Sequence, residues 1–156
     1  MYKVFKVKKW DVAKLFSVSK ILNVCGKDMA KNYNLQHWNN SKLKTSLIVF
    51  LCAIKNNIYL VYELKTPIAT FQTRKVDNSL LFNKLATLPG NTRKGVGSFC
   101  LSKIEKYAKQ TGCRDIICEV YVENKQALLF YEHRGYDIIG TMDTIKYKEL
   151  RLKKEI

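Results

Sequence analysis

The stretch richest in possible chemistry is Leu85-Ala86-Thr87-Leu88-Pro89-Gly90-Asn91-Thr92-Arg93-Lys94-Gly95-Val96-Gly97-Ser98. It reads as the end of a strand, a turn, and the first turn of a helix. The helical pattern is carried by Val96, Cys100, Leu101, Ile104 and Ala108, which recur at helical spacing. The first N–H groups of a helix have no partner inside it, and the helix dipole adds partial positive charge there. Glycines at 95 and 97 would let an anion approach that backbone, and Arg93 and Lys94 add charge. This chemistry suits a phosphate. Neither familiar phosphate motif is complete: Val96 stands where a Walker loop needs lysine, and Cys100 where a dinucleotide fingerprint needs its third glycine. A tight turn with solvated cations fits the same residues.

The elements around this loop follow from periodicity. Residues 2–8 alternate as a strand. Asp11 is placed to cap a helix running to about Lys31, with Leu15, Val18, Ile21, Leu22, Cys25 and Met29 on one stripe. A polar loop, Asn32 to Asn40, holds Gln36, His37 and Trp38. The apolar run from Ser41 to Lys55 suits a buried strand or a buried helix; Ser41 as cap and Asn56-Asn57 as stop favour helix. Ile58–Leu64, Ile68–Val76 and Leu80–Leu88 read as an antiparallel meander, turned at Lys65-Thr66-Pro67 and at Asp77-Asn78-Ser79. The glycine helix runs from Gly95 to about Gln110 and stops at Gly112. In a strand over 115–122, Ile116, Cys118, Val120 and Val122 face one way, Ile117, Glu119, Tyr121 and Glu123 the other. Asn124 caps a short helix to Arg134, closed by Gly135, and strands follow at 136–140 and 147–153. The expected class is α/β, an α+β mixed sheet with helices on its faces.

The chain of 156 residues fits one domain, 1–156, with no repeat and no linker composition. Its longest apolar run, Leu47–Ile54, is too short to span a bilayer, and lysines throughout the first residues exclude a signal peptide, so no membrane partner is expected. Five cysteines without a CxxC pair point to a reduced, cytoplasmic protein with buried thiols. Two histidines far apart argue against a zinc site, and no metal is expected. The net charge of +15 admits nucleic acid, an acidic substrate or a phosphorylated cofactor. The lysines are scattered without a run of five, which suits an evenly basic surface, and no aromatic-basic interleaving of the kind that stacks bases is present.

The order of parts resembles the GNAT superfamily of N-acetyltransferases. The matching residues are Lys84-Leu85-Ala86-Thr87-Leu88-Pro89 and Arg93-Lys94-Gly95-Val96-Gly97-Ser98, then Ile116-Ile117-Cys118-Glu119-Val120, Asn124, Ala127, Leu129-Phe130-Tyr131-Glu132 and Gly135-Tyr136. The likeness is strong from about Leu80 to Gly140. Thr92 departs from the family's usual Gln or Arg, and Arg93 or Lys94 is placed to supply that cation.

The resemblance implies a mostly antiparallel sheet that splays open beside the strand ending at Leu88. Acetyl-CoA is then the co-substrate. Its pyrophosphate would lie on the N–H groups of Arg93 to Ser98, and its pantetheine arm along the backbone of Leu85, Ala86 and Thr87. Asn124, Ala127, Phe130 and Tyr131 would hold the arm's other side. Tyr131 matches the family tyrosine that protonates the leaving thiolate. Glu119 has the spacing of the glutamate base in the related alanine acetyltransferases of ribosomal proteins. Gln36, His37 and Trp38 are candidates for lining the acceptor pocket. The expected activity is acetyl transfer to a primary amine in a ternary complex, without a covalent enzyme intermediate. The alternative is a non-catalytic basic domain that binds nucleic acid or a CoA-like ligand. Small amines, aminoglycosides, peptide N-termini and lysines all remain as acceptors, the basic surface favours an acidic one, and a homodimer stays open.

Overall fold

The computed structural model describes residues 1–156 as one seven-stranded sheet with helices on both faces. In chain order the elements are β1 (Tyr2–Val7), α1 (Val12–Tyr33), α2 (Lys42–Lys55), β2 (Asn57–Glu63), β3 (Thr66–Val76), β4 (Ser79–Thr87), a 3-10 turn (Pro89–Asn91), α3 (Val96–Gln110), β5 (Asp115–Tyr121), α4 (Lys125–Glu132), β6 (Asp137–Asp143) and β7 (Lys148–Glu155). The sheet order is β1-β2-β3-β4-β5-β7-β6, antiparallel throughout except where β4 meets β5.

Local chemistry sets the helix starts. Asp11 accepts the Lys14 N–H at 3.1 Å, Ser41 accepts that of Lys44 at 3.2 Å, and Asn124 accepts that of Ala127 at 3.2 Å. Each side chain satisfies one of the orphan donors of a first helical turn. The cap at Ser41 resolves the ambiguity of the 41–55 run in favour of helix.

Two cores sandwich the sheet. On one face, Val96, Cys100, Leu101, Ile104 and Ala108 of α3 pack on Val61, Phe71, Leu80, Phe82, Ile116, Cys118 and Val120. On the other, Leu15, Val18, Ile21 and Leu22 of α1, with Val49 and Ala53 of α2, pack on Val7, Ile58, Leu60 and Ala86. Strand β3 lies between both layers, and Ile68 to Thr73 are all buried, as a strand covered on both faces requires. Truncating a fully buried residue such as Ile104 costs about 2–5 kcal/mol.

The first hairpin differs from its sequence reading. Leu64, not Pro67, sits at the turn, with φ 55, and Pro67 lies inside β3 opposite Tyr62. The register shift between Val61 and Tyr62 explains this, since proline is tolerated in a strand beside a bulge. The last strands also shift: β6 runs to Asp143 and β7 begins at Lys148, so Tyr136 and Tyr147 fall just outside them.

Candidate active site

Strands β4 and β5 pair only through Ser79–Asp115, Leu80–Ile116 and Leu81–Ile117, then part. The cause lies in β4. Its register against β3 shifts between Thr70 and Gln72, and Lys84 at this irregularity has φ 50. A bulge bends its strand and adds twist. Beyond Leu81 no strand pairs with the β5-facing edge of β4, whose backbone groups can therefore serve a ligand. The gap holds a cavity of about 230 Å³, lined by Phe82 to Leu85, by Cys118 to Tyr121, by Asn124, Ala127 and Tyr131, and by His37, Trp38, Tyr147 and Glu149.

The glycine loop stands next to this gap in space. Arg93 and Gly95 have positive φ, 60 and 81, and Gly95 caps α3 with no side chain involved. A Cβ at Gly95 would meet nothing within 4 Å, so its approach is open. Gly97 also has a packing role that its sequence did not suggest: a Cβ there would stand 3.1 Å from the Phe130 ring. This glycine lets α3 and α4 approach. Arg134 lies over the Phe130 ring, 3.9 Å from its centroid, and donates to Ser98 Oγ. Tyr2 donates its hydroxyl to the Lys94 carbonyl at 2.9 Å. Arg93 and Lys94 are exposed, whereas Val96 is buried and offers a ligand only its backbone.

Of the other anticipated residues, Leu85, Asn124, Ala127, Tyr131 and Glu119 line the cavity together. Ala86 points its side chain into the α1–α2 core, and the Thr87 carbonyl accepts the Cys25 thiol at 3.2 Å. Phe130 and Tyr131 make α4 a bridge, one ring against Gly97 and the next lining the cavity.

Tyr131 is 8% exposed, and its ring packs on Phe82, Phe130 and Tyr136 at centroid distances of 5.8, 5.2 and 5.5 Å. Burial raises its pKa well above the usual phenol value. The phenol is therefore protonated at neutral pH. Glu119 Oε1 accepts two donors from Arg151, Nη2 at 2.7 Å and Nε at 3.2 Å, which leaves Oε2 without a protein partner. Cys118 lines the same cavity, but burial pushes its thiol far up, as it pushes Cys25 and Cys100 up to about 12.

A model of the Acetyltransferase (GNAT) family matches residues 27–136. The chain belongs to this family. The protein is an acyltransferase, and its splayed sheet is the family's fold. The uncharacterized protein YdhI of Bacillus subtilis (strain 168) is 27% identical over 136 residues, 86% of this chain and 82% of YdhI. Among solved structures, the PaiA N-acetyltransferase of Thermoplasma acidophilum, in complex with coenzyme A, superposes with TM-score 0.77 at 16% identity, over 100% of this chain and 99% of that one. The ribosomal-protein-S18-alanine N-acetyltransferase of Escherichia coli superposes with TM-score 0.72 at 13% identity, over 100% of this chain and 94% of that one.

The end of this cavity near His37, Trp38, Tyr147 and Glu149 was only partly legible. His37 and Trp38 line it, while Gln36 is exposed and hydrogen-bonds Asn39 at 2.8 Å. Their loop is held against α1 by Gly26, where a Cβ would lie 2.2 Å from the Trp38 carbonyl oxygen. Burial lowers the His37 pKa to about 4, with Lys84 adding to the effect, so the imidazole is neutral at pH 7. Its ring lies 4.6 Å from Tyr121 and 5.8 Å from Tyr147, and those two rings are 5.2 Å apart. Tyr121, Tyr147 and Glu149 were not anticipated at the site. A signal existed: Tyr147, Glu149 and Arg151 alternate along the last strand, and Tyr121 shares the face of Glu119.

Proposed function

We propose that this acetyltransferase moves the acetyl group of acetyl-CoA directly to a primary amine in a ternary complex. The observation that carries the reading is the splay beyond Leu81 and Ile117, with Tyr131 and Glu119 lining the gap it opens. The free edge of β4 at Leu85 to Thr87 would pair with the pantetheine arm as an added strand. The N–H groups from Arg93 to Ser98 would take the pyrophosphate, with Arg93 and Lys94 as exposed counter-charges. Asn124 and Ala127 would bound the arm from α4. When bound, acetyl-CoA supplies an activated thioester.

The chain's own groups then handle protons. As the amine's lone pair forms the C–N bond and the C–S bond breaks, Tyr131 gives its phenolic proton to the leaving sulfur. Glu119, through Oε2 or a water on it, takes the proton that the nitrogen sheds. The high pKa of Tyr131 does not forbid its role. A thiolate forming in the same dry gap is raised by the same desolvation that raises Cys118, so the two shifts offset one another. The protonated state of Cys118 also supports direct transfer, because a neutral thiol is a poor acyl carrier. The test is to titrate acetyl-CoA by calorimetry and to follow thiol release over a panel of amines and peptides. Tight acetyl-CoA binding with release that needs an amine is expected. Failure to bind acetyl-CoA, or acyl label retained on the protein, would overturn the reading.

A further inference from the structure

The acceptor half of the cavity carries chemistry that the rest of the chain does not. The protein has 28 Lys and Arg against 13 Asp and Glu, yet two carboxylates, Glu119 and Glu149, line this one cleft. Glu119 is paired with Arg151. Glu149 is half-buried, and no cation stands within ion-pair distance of it. The remaining local cation, Lys84, extends toward Trp38, with Nζ 6.0 Å from that ring's centroid. Burial and the Glu119 charge both raise the Glu149 pKa, and Lys84 offsets them in part. An incoming positive charge would relieve that repulsion.

Next to Glu149 stand the rings of His37, Tyr121 and Tyr147. Tyrosine faces attract a cation within about 6 Å, more strongly where water is excluded. His37 is neutral, so its ring, tilted against Tyr121 at 4.6 Å, adds no repelling charge. We propose that the acceptor carries a second cationic nitrogen, held by the Glu149 carboxylate and the His37–Tyr121–Tyr147 box while the reacting amine lies at Glu119. The inference rests on the acetyltransferase reading above.

Register gives the spacing. Glu119 stands opposite Arg151 and Tyr121 opposite Glu149, so Glu119 and Glu149 are diagonal neighbours on one face of β5 and β7. The backbone positions of such neighbours are about 7–8 Å apart, and a diamine with about four carbons between its nitrogens spans a comparable length. The basic surface had favoured an acidic acceptor; the lining of the cleft favours the opposite charge.

The test compares 1,4-diaminobutane with butylamine, each at saturating acetyl-CoA, by thiol release. The wild type should favour the diamine by about tenfold or more in kcat/KM, the scale of one charge-assisted contact with a cation–π contribution. In Glu149→Gln that preference should fall to near parity, and Tyr147→Leu should reduce it in the same direction should the first variant fold poorly. Calorimetry of the CoA-loaded protein should detect the diamine and show the same ranking. Equal use of both amines, absence of diamine binding, or a preference that survives Glu149→Gln would overturn the proposal. Loss of acetyl-CoA binding in the wild type would instead overturn the acetyltransferase reading beneath it.

Discussion

The two walls of the cleft are built differently. On the β4 side the groups offered to a ligand are mostly backbone: the unpaired edge after Leu81 and the first N–H groups of α3. On the β5–β7 side they are side chains: Glu119, Tyr121, Tyr147 and Glu149, closed over by His37 and Trp38. A backbone wall accepts any ligand with the right repeat of donors and acceptors, so it suits a co-substrate common to many acyltransfers. A side-chain wall can change its chemistry with each substitution while the sheet stays the same. Tyr131 stands where the walls meet, and its α4 neighbour Phe130 packs on the loop side.

The sharpest way to break this division is Tyr131→Phe, which should have the largest effect. Removing one oxygen keeps the ring packed against Phe82 and Tyr136. Turnover should drop about 10²-fold or more, the scale of a lost general acid. Acetyl-CoA affinity and melting temperature should change little. The loss should shrink with a thioester of a more acidic thiol, because that leaving group needs less protonation. A uniform loss across leaving groups would assign Tyr131 to positioning.

Gly26→Ala acts first on the side-chain wall. The new Cβ would press on the Trp38 carbonyl and push the loop of His37 and Trp38 outward. Overpacking of this kind costs about 1–3 kcal/mol. Amine KM should rise several-fold, on the order of tenfold at most. Acetyl-CoA affinity should change less, although Cys25, the neighbour of Gly26, reaches the backbone wall at the Thr87 carbonyl, 3.2 Å away. An equal loss of acetyl-CoA affinity, measured by calorimetry, would show the two walls to be coupled.

Arg93→Asn makes the matching change on the backbone wall and should do less. Asparagine tolerates the left-handed backbone at this position, φ 60, so the variant removes charge without adding strain. An exposed ion contact is worth about 0.2–1 kcal/mol, a loss of up to about fivefold in acetyl-CoA affinity. The loss should fade as salt rises, because the contact is screened. A loss independent of salt would give Arg93 a role in shaping the loop.

The two walls also differ in how far they could be read from residue order. Strand end, Pro89-Gly90, glycine turn and α3 are contiguous, and each signal is local: a left-handed turn, a cap, a helical stripe. Asn124, Ala127 and Tyr131 follow at one-turn spacing on a helix whose cap was legible. The side-chain wall gathers residues from position 37 to position 149, and strand order brings them together. β7 inserts between β5 and β6, and nothing in the local pattern near Tyr147 or Glu149 specifies that neighbour. Gly26 was hidden for a similar reason. In the sequence it is a weak point of a helix, and only the packed structure shows the carbonyl pressed against it. The packing of Gly97 was hidden likewise, because its contact, Phe130, lies on another helix.

The smallest expected effect concerns the neutrality of the side-chain wall. Burial holds the folded pKa of His37 at about 4, below its ordinary value of 6.5. Between those values the unfolded chain binds a proton that the folded chain refuses. Stability from this group is therefore complete above pH 6.5 and is lost as pH falls toward 4. The imidazole is only half-buried, so solvent screening limits the size of the change. His37→Phe keeps a ring on Tyr121 and removes the titration. Its melting temperature should fall less than that of the wild type between pH 7 and pH 4.5, on a scale of about 2–4 °C per kcal/mol for a chain of this length. Carboxylates titrate in both proteins over that range, so the signal is the difference between the two curves. Parallel curves would mean that His37 takes up its proton in the folded state as readily as in the unfolded one. The box around Glu149 would then gain a positive charge as the pH falls, and amine affinity should weaken over the same interval.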